Sequence, residues 1–142
     1  MKFHFWYVAF SLFFTALVTA GYLYLASADR LASSISLADF LLMALATQRL
    51  VRLFSRDIIT DFIRQWFIGA DPRSLQETLG ALINCPWCSG LWFAALIVFC
   101  YFATPIAWYA ILVLALASVA SFLQILASLV GWSAEAKKKE LL

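Results

Sequence analysis

Asn84-Cys85-Pro86-Trp87-Cys88-Ser89-Gly90-Leu91-Trp92 marks the point where a polar connector turns into an apolar helix. Proline has no N–H and a fixed φ, so it suits the first helical position. With Pro86 there, Cys85 is the N-cap and Cys88 falls in the first turn. Both sulfurs then lie beside unpaired N–H groups at the positive end of a helix dipole, which favours a thiolate. The chemistry open to the pair is metal ligation, thiol exchange or none. As N-cap, Cys85 is expected to be the more reactive thiol, with Trp87 and Trp92 shielding Cys88.

Working outward, the composition decides the class. The chain has 142 residues, of which 65% are hydrophobic and 13% charged. A soluble domain has roughly 45–50% apolar and 25% charged residues. Too little polar surface is present to cover a water-soluble globule, so the chain reads as polytopic in a membrane. Net charge is +2, and the basic residues cluster beside apolar spans, which argues against a nucleic-acid partner. Three cysteines cannot build a secreted-type disulfide framework. Cys100 lies roughly 18 Å along the helix from Cys88 at about 1.5 Å per residue, too far to join the pair.

Toward the N-terminus, Phe5 to about Ala26 is a continuous apolar run, long enough for the roughly 20 residues a span needs. Ala26-Ser27-Ala28 fits a signal-peptide cleavage site, but the run exceeds an h-region of about 7–15 residues, and an uncleaved span is preferred. Ser36-Leu37-Ala38-Asp39 reads as a capping box that opens a second helix, Leu37 to about Phe54. Arg49, Arg52 and Arg56 share one face near its end, as an interface anchor or a headgroup or carboxylate site. From Asp57 to Gly69 the pattern is amphipathic and too short to span. Asp57 and Asp61 are expected to pair with the arginines at the end of the second helix. Ser74-Leu75-Gln76-Glu77 is a further capping box, before the elbow.

Toward the C-terminus, Pro86 to Ala103 is a bare span, with Gly90 and Ala94 allowing close helix approach. Thr104-Pro105 repeats the cap-plus-proline device. Ile106 to about Trp132 is the last span, with Ala110, Ala117, Ser121, Gln124 and Ser128 as its expected packing face and Gly131 as its stop. The expected fold is all-α: about four transmembrane helices plus a short amphipathic interfacial helix segment between the second and third. Residues 1–36 form the first helix and loop. Residues 37–132 form a three-span core with an interfacial connector over 55–84, and 133–142 a basic tail. Arg49, Arg52, Arg56, Arg64, Arg73 and Lys137 to Lys139 lie on one side of that topology. The positive-inside rule then puts both ends in the cytoplasm of a bacterial inner membrane.

From about Leu41 to Leu129 the chain resembles a small bacterial and phage membrane-protein family, domain of unknown function 1360, sometimes labelled sporulation-related. The residues that carry the resemblance are Arg49-Leu50-Val51-Arg52-Leu53 with Asp57, then Cys85-Pro86-Trp87-Cys88-Ser89-Gly90-Leu91-Trp92, then the Ala/Ser-rich last helix. The resemblance implies a membrane location and carries over no catalytic residues.

Three functions follow as expectations. The first is a non-enzymatic accessory subunit or regulator of a membrane complex. It needs no cofactor, and its partners are the lipid bilayer and either another membrane protein or a second copy, met through small-residue helix faces. The second is a phage holin-like lysis protein. The third is a thiol-redox or metal-binding protein using Cys85 and Cys88, which fill half of a tetrahedral metal site. The single histidine, His4, is terminal, so a His-based catalytic set is not available.

Overall fold

The computed structural model describes residues 5–31, 34–67, 69 and 74–140, with side chains described as far as 133. Expectations placed on residues 1–4, on 70–73 (Arg73 included) and on the side chains of Lys137 to Lys139 lie outside it. The described residues form α1 (Phe5–Ser27), α2 (Leu37–Ser55), a 3-10 turn (Ile58–Thr60), α3 (Asp61–Gln65), α4 (Leu75–Asn84), α5 (Pro86–Ala103) and α6 (Ala107–Glu140). No strand occurs among them.

Three stretches are long and apolar enough to cross a membrane: α1, α5 and Ala107–Ser133 of α6. The second helix is not among them. Its 19 residues carry Asp39, Arg49 and Arg52, which lower its hydropathy below that of the others.

The directions of the helices alternate. Phe14 meets Trp92 and Tyr24 meets Phe99, so α1 and α5 run the same way. Trp108 reaches Asp39 and Ser118 reaches Gln48, so α6 runs parallel to α2. Between them α5 returns antiparallel, with Phe54 on Phe93 near one end of α2 and Ile97 against Met43 and Ala46 further back. The core is this junction: Met43, Ala46, Ile97 and Ile111, flanked by Leu42, Leu50, Tyr101 and Leu114. Elsewhere many large apolar side chains of α1, α5 and α6 are exposed, among them Leu12, Phe13, Leu96, Val113 and Leu116. In water such surface would drive aggregation; in a bilayer it is the lipid-facing side.

Helix starts follow local chemistry. The Ser36 hydroxyl accepts from Asp39 N–H at 3.1 Å, and the Ser74 hydroxyl from Glu77 N–H at 3.0 Å. Each satisfies one of the orphan donors of a first turn. The end of α2 is less simple. Arg56 and Asp57 leave helical geometry, so the segment from Asp57 to Gly69 is a 3-10 turn and a five-residue α3 instead of one amphipathic helix. The freed carbonyls explain the break. Thr60 donates to Leu53 O, and the Arg64 guanidinium donates to Phe54 O at 3.2 Å and Asp57 O at 3.1 Å. An arginine that folds back on the last turn of α2 satisfies acceptors that a continuing helix would have used itself.

Close approach singles out Gly80, which sequence pattern does not mark. A Cβ there would stand 2.9 Å from Phe67 Cβ, so α4 lies directly on the chain just after α3. At Gly90 an added Cβ would meet Val51 Cγ2 at 3.6 Å, an ordinary contact. Gly131 does not stop α6, which continues to Glu140. The cost of one interior glycine, about 1 kcal/mol, is offset by the alanine, glutamate and lysine that follow, all good helix formers.

Within the chain, α6 packs through only part of the expected stripe, Ala117 and Ser121 being half-buried. Ile111, Ala115 and Ser118 are buried, and Ala110, Gln124 and Ser128 are exposed. The reason is length: α6 has 34 residues and α2 only 19, so the second half of α6 outruns its partner.

Candidate functional site

Two groups of candidate side chains sit at the same end of the bundle, where α2 ends and α5 begins. The Ser55 hydroxyl donates to Ile83 O at 3.0 Å, which ties the end of α2 to the end of α4 beside the elbow. Val51 packs over Gly90 just beyond it.

The first group is polar and lies on the inner face of α2 and α6. The Arg49 guanidinium meets Asp57 at 3.1 Å and donates to the Ser121 hydroxyl at 3.4 Å. Ser118 donates to the Gln48 side-chain oxygen at 2.9 Å. Gln48, Arg49, Arg52, Ser118 and Ser121, with Phe122 and Ile125, line a small pocket of about 80 Å3. Asp57 therefore pairs with Arg49 and not with Arg52 or Arg56. Asp61 takes its arginine from its own helix: Arg64 lies 3.0 Å away. The expected pairing of Asp61 with the end of α2 is replaced because Arg64, one turn on, is nearer and is already anchored on Phe54 O and Asp57 O. The Gln65 amide at 2.7 Å, and then Arg64, hold the Asp61 carboxyl below the usual carboxylate range. Gln124 stays outside the pocket, exposed on α6.

The second group is the elbow. Cys85 is the N-cap of α5, and its Sγ accepts from Cys88 N–H at 3.4 Å. Pro86 is the first residue of the helix and Ser89 is buried, donating to Cys85 O at 3.0 Å. The Cys88 thiol, then the backbone N–H groups of Cys88 and Trp87, hold the Cys85 thiol below its ordinary value. Cys88 is exposed and Cys85 half-buried, which reverses the expected shielding. Trp87 points away from the protein at 91% exposure. Trp92 faces α1, where Phe10, Phe13 and Phe14 surround it with ring centroids 6.5, 6.0 and 4.9 Å away. That cluster fastens α1 to α5. Among the described residues no three His, Cys, Asp or Glu side chains stand close enough to share a metal ion.

Labelling should follow this geometry. In a Cys100→Ala background, Cys85 is expected to react with maleimide at lower pH than a free thiol, because its thiolate is the stabilised form. Cys88→Ala removes one donor and should move the labelling midpoint of Cys85 upward. A midpoint that stays put, or moves down, would show that Cys88 does not support the thiolate.

Sequence reasoning passed over Gln48 and Ser118 as a pair, Thr60 and Arg64 as caps, and the aromatic nest of Trp92. The first had a usable signal: a polar residue on an otherwise apolar helix face needs a partner, and Gln48 and Ser118 are such residues.

Residues 42–127 match the family described as "Protein of unknown function (DUF1360)", a stretch that begins within α2 and ends within α6. The UPF0713 protein YngL of Bacillus subtilis (strain 168) is 34% identical over 102 residues, which cover 63% of this chain and 78% of that protein. Sporulation protein YjcA of the same organism is 30% identical over 104 residues, covering 61% of this chain and 88% of its own length. No solved structure matches the chain. Since the family match spans more than half of the sequence, the chain belongs to the DUF1360 family.

Proposed function

We propose that the chain crosses a bacterial inner membrane four times, with both ends and the connector between α2 and α5 in the cytoplasm. In that setting it acts as a non-enzymatic accessory subunit or regulator of a membrane complex. The observation that carries this reading is the use made of its polar groups. Arg49, Asp57, Gln48, Ser118 and Ser121 are engaged with one another across α2, α6 and the connector. They hold helices together, as polar side chains between membrane helices do.

The alternating directions of α1, α2, α5 and α6 support four crossings. At one end the Arg30 guanidinium donates to Ala103 O and Trp108 to Asp39. At the other stand Ser55 with Ile83 and Arg49 with Asp57. The charges of α2 lie toward its two ends, and the stretch from Phe40 to Thr47 between them is uncharged. At about 1.5 Å per residue the helix is about 28 Å long, close to the thickness of the hydrocarbon. Arg49, Arg52, Arg56 and Arg64 gather at the connector end, which the positive-inside rule places in the cytoplasm. Ile58, Ile59, Phe62 and Trp66 are exposed there, an apolar face suited to the headgroup boundary.

A photo-crosslinking residue in place of Gln124, on the exposed face of α6, should give a discrete adduct with one membrane protein. Adducts to lipid alone would contradict the accessory role. Abrupt loss of membrane potential on expression would favour the holin-like alternative. One observation favours a second reading: the half-buried Cys85 Sγ accepts from the N–H of Cys88, whose own thiol is exposed, an arrangement suited to thiol exchange. Loss of function on either Cys85→Ser or Cys88→Ala, with the fold intact, would support it.

A further inference from the structure

The pocket between α2 and α6 has a donor set that its own contacts leave incomplete. The charge of Arg49 is offset by Asp57 at 3.1 Å. Arg52 lines the same pocket from an exposed position, and among the described residues the ion pairs are those of Arg49 and Arg64, with none at Arg52. The pocket therefore holds one positive charge in excess. The Gln48 side-chain oxygen is taken by the Ser118 hydroxyl, which leaves the Gln48 amide N–H groups as donors. The Ser121 hydroxyl donates to Ala117 O at 2.8 Å and accepts from Arg49, so it offers no further proton. An uncompensated guanidinium beside an amide N–H2, in a space of about 80 Å3, selects a small oxyanion. Phe122 and Ile125, themselves exposed, add apolar surface to the pocket from α6, a helix apolar enough to cross a membrane.

We propose that this pocket binds the phosphate group of an anionic ligand, with Arg52 as its charged anchor and Gln48 as a second donor. Guanidinium and phosphate match in geometry as well as charge, and two parallel N–H···O bonds fix the phosphate relative to the helix. The phosphate can come from a phospholipid headgroup or from free phosphate. The apolar wall of Phe122 and Ile125 favours the lipid, whose acyl chains continue along α6. The inference goes beyond the accessory role and does not depend on it: the pocket is made by contacts between α2 and α6, whichever way the chain faces.

The test is native mass spectrometry of the full chain released from non-ionic detergent, with phosphatidylglycerol, a diacylglycerol of the same acyl chains, or inorganic phosphate added. Phosphatidylglycerol should be retained roughly tenfold better than diacylglycerol, the scale of one charge-assisted contact. Arg52→Gln should remove that preference. Arg56→Gln, which removes the same charge from a nearby position outside the pocket, should keep it, and Gln48→Leu should weaken it. Displacement of the lipid by millimolar phosphate would identify free phosphate as the ligand; no displacement would identify the lipid. Equal retention of the two lipids with no phosphate bound would overturn the proposal. So would equal losses in Arg52→Gln and Arg56→Gln, because they would reduce the effect to net charge.

Discussion

Ala46→Leu should lower the thermal midpoint of the detergent-solubilised protein by on the order of 10 °C, while Ala44→Leu should leave it nearly unchanged. Ala46 is 0% exposed, at the point where α2 meets both α5 and α6. Three added carbons there have no space, and overpacking of this kind costs about 1–3 kcal/mol in a soluble core. The cost should reach the upper end here for a reason specific to membranes. Lipid tails are as apolar as leucine, so helices gain little by hiding apolar surface from lipid and are held by packing. A side chain that pushes α2 outward removes that packing on two sides at once. Ala44 is on the exposed face of the same helix and serves as the control for helix propensity. Equal midpoints for the two variants would mean that α2 is not central to the bundle.

Arg49→Gln and Asp57→Asn should each destabilise the protein by about 2 kcal/mol, and the double variant by little more than either alone. Exposed ion pairs contribute below about 1 kcal/mol, and breaking a buried one costs about 3–5 kcal/mol. The side chains here are 23% and 26% exposed, which places the pair between those limits. A pair removed once cannot be removed again, so the coupling should account for most of the single cost. Arg52→Gln, by contrast, should add to Asp57→Asn, because Arg52 does not contact Asp57. The reverse pattern, with Arg52 coupled and Arg49 additive, would mean that the connector docks on a different turn of α2.

The difference between these two arginines shows where the sequence stops being readable. Helical spacing puts Arg49, Arg52 and Arg56 on one face, but spacing carries no information on where the chain turns. That depends on Arg56 and Asp57 leaving the helix and on Thr60 and Arg64 capping its carbonyls, contacts made after the fold has formed. Helix starts were legible because each is written in neighbouring residues: Ser36 with Asp39, Ser74 with Glu77, and Cys85 with Pro86. The long apolar runs were legible from hydropathy alone. Only part of the stripe on α6 packs within the chain, for a different reason. Small and polar residues recur at Ala110, Ala117, Ser121, Gln124 and Ser128, but the buried part is set by how far α2 reaches, and a periodic pattern holds no record of its neighbour's length. Trp92 and its phenylalanines were illegible for a similar reason, since α1 and α5 are distant in sequence and aromatic residues at membrane depth are ordinary. Gly80 has no signal of its own: only the position of Phe67 makes a hydrogen necessary there.

The central claim is that α2, with its arginines, crosses the membrane beside the three more apolar helices. Two-way reporter fusions along the chain test it most directly, with an alkaline phosphatase active outside and a fluorescent protein active inside. Fusions after Ala28 and after Thr104 should read as external, and fusions after Gly69 and after Leu142 as internal. If the fusions after Ala28 and Gly69 fall on the same side, α2 does not cross, and the four-helix account of this protein is wrong.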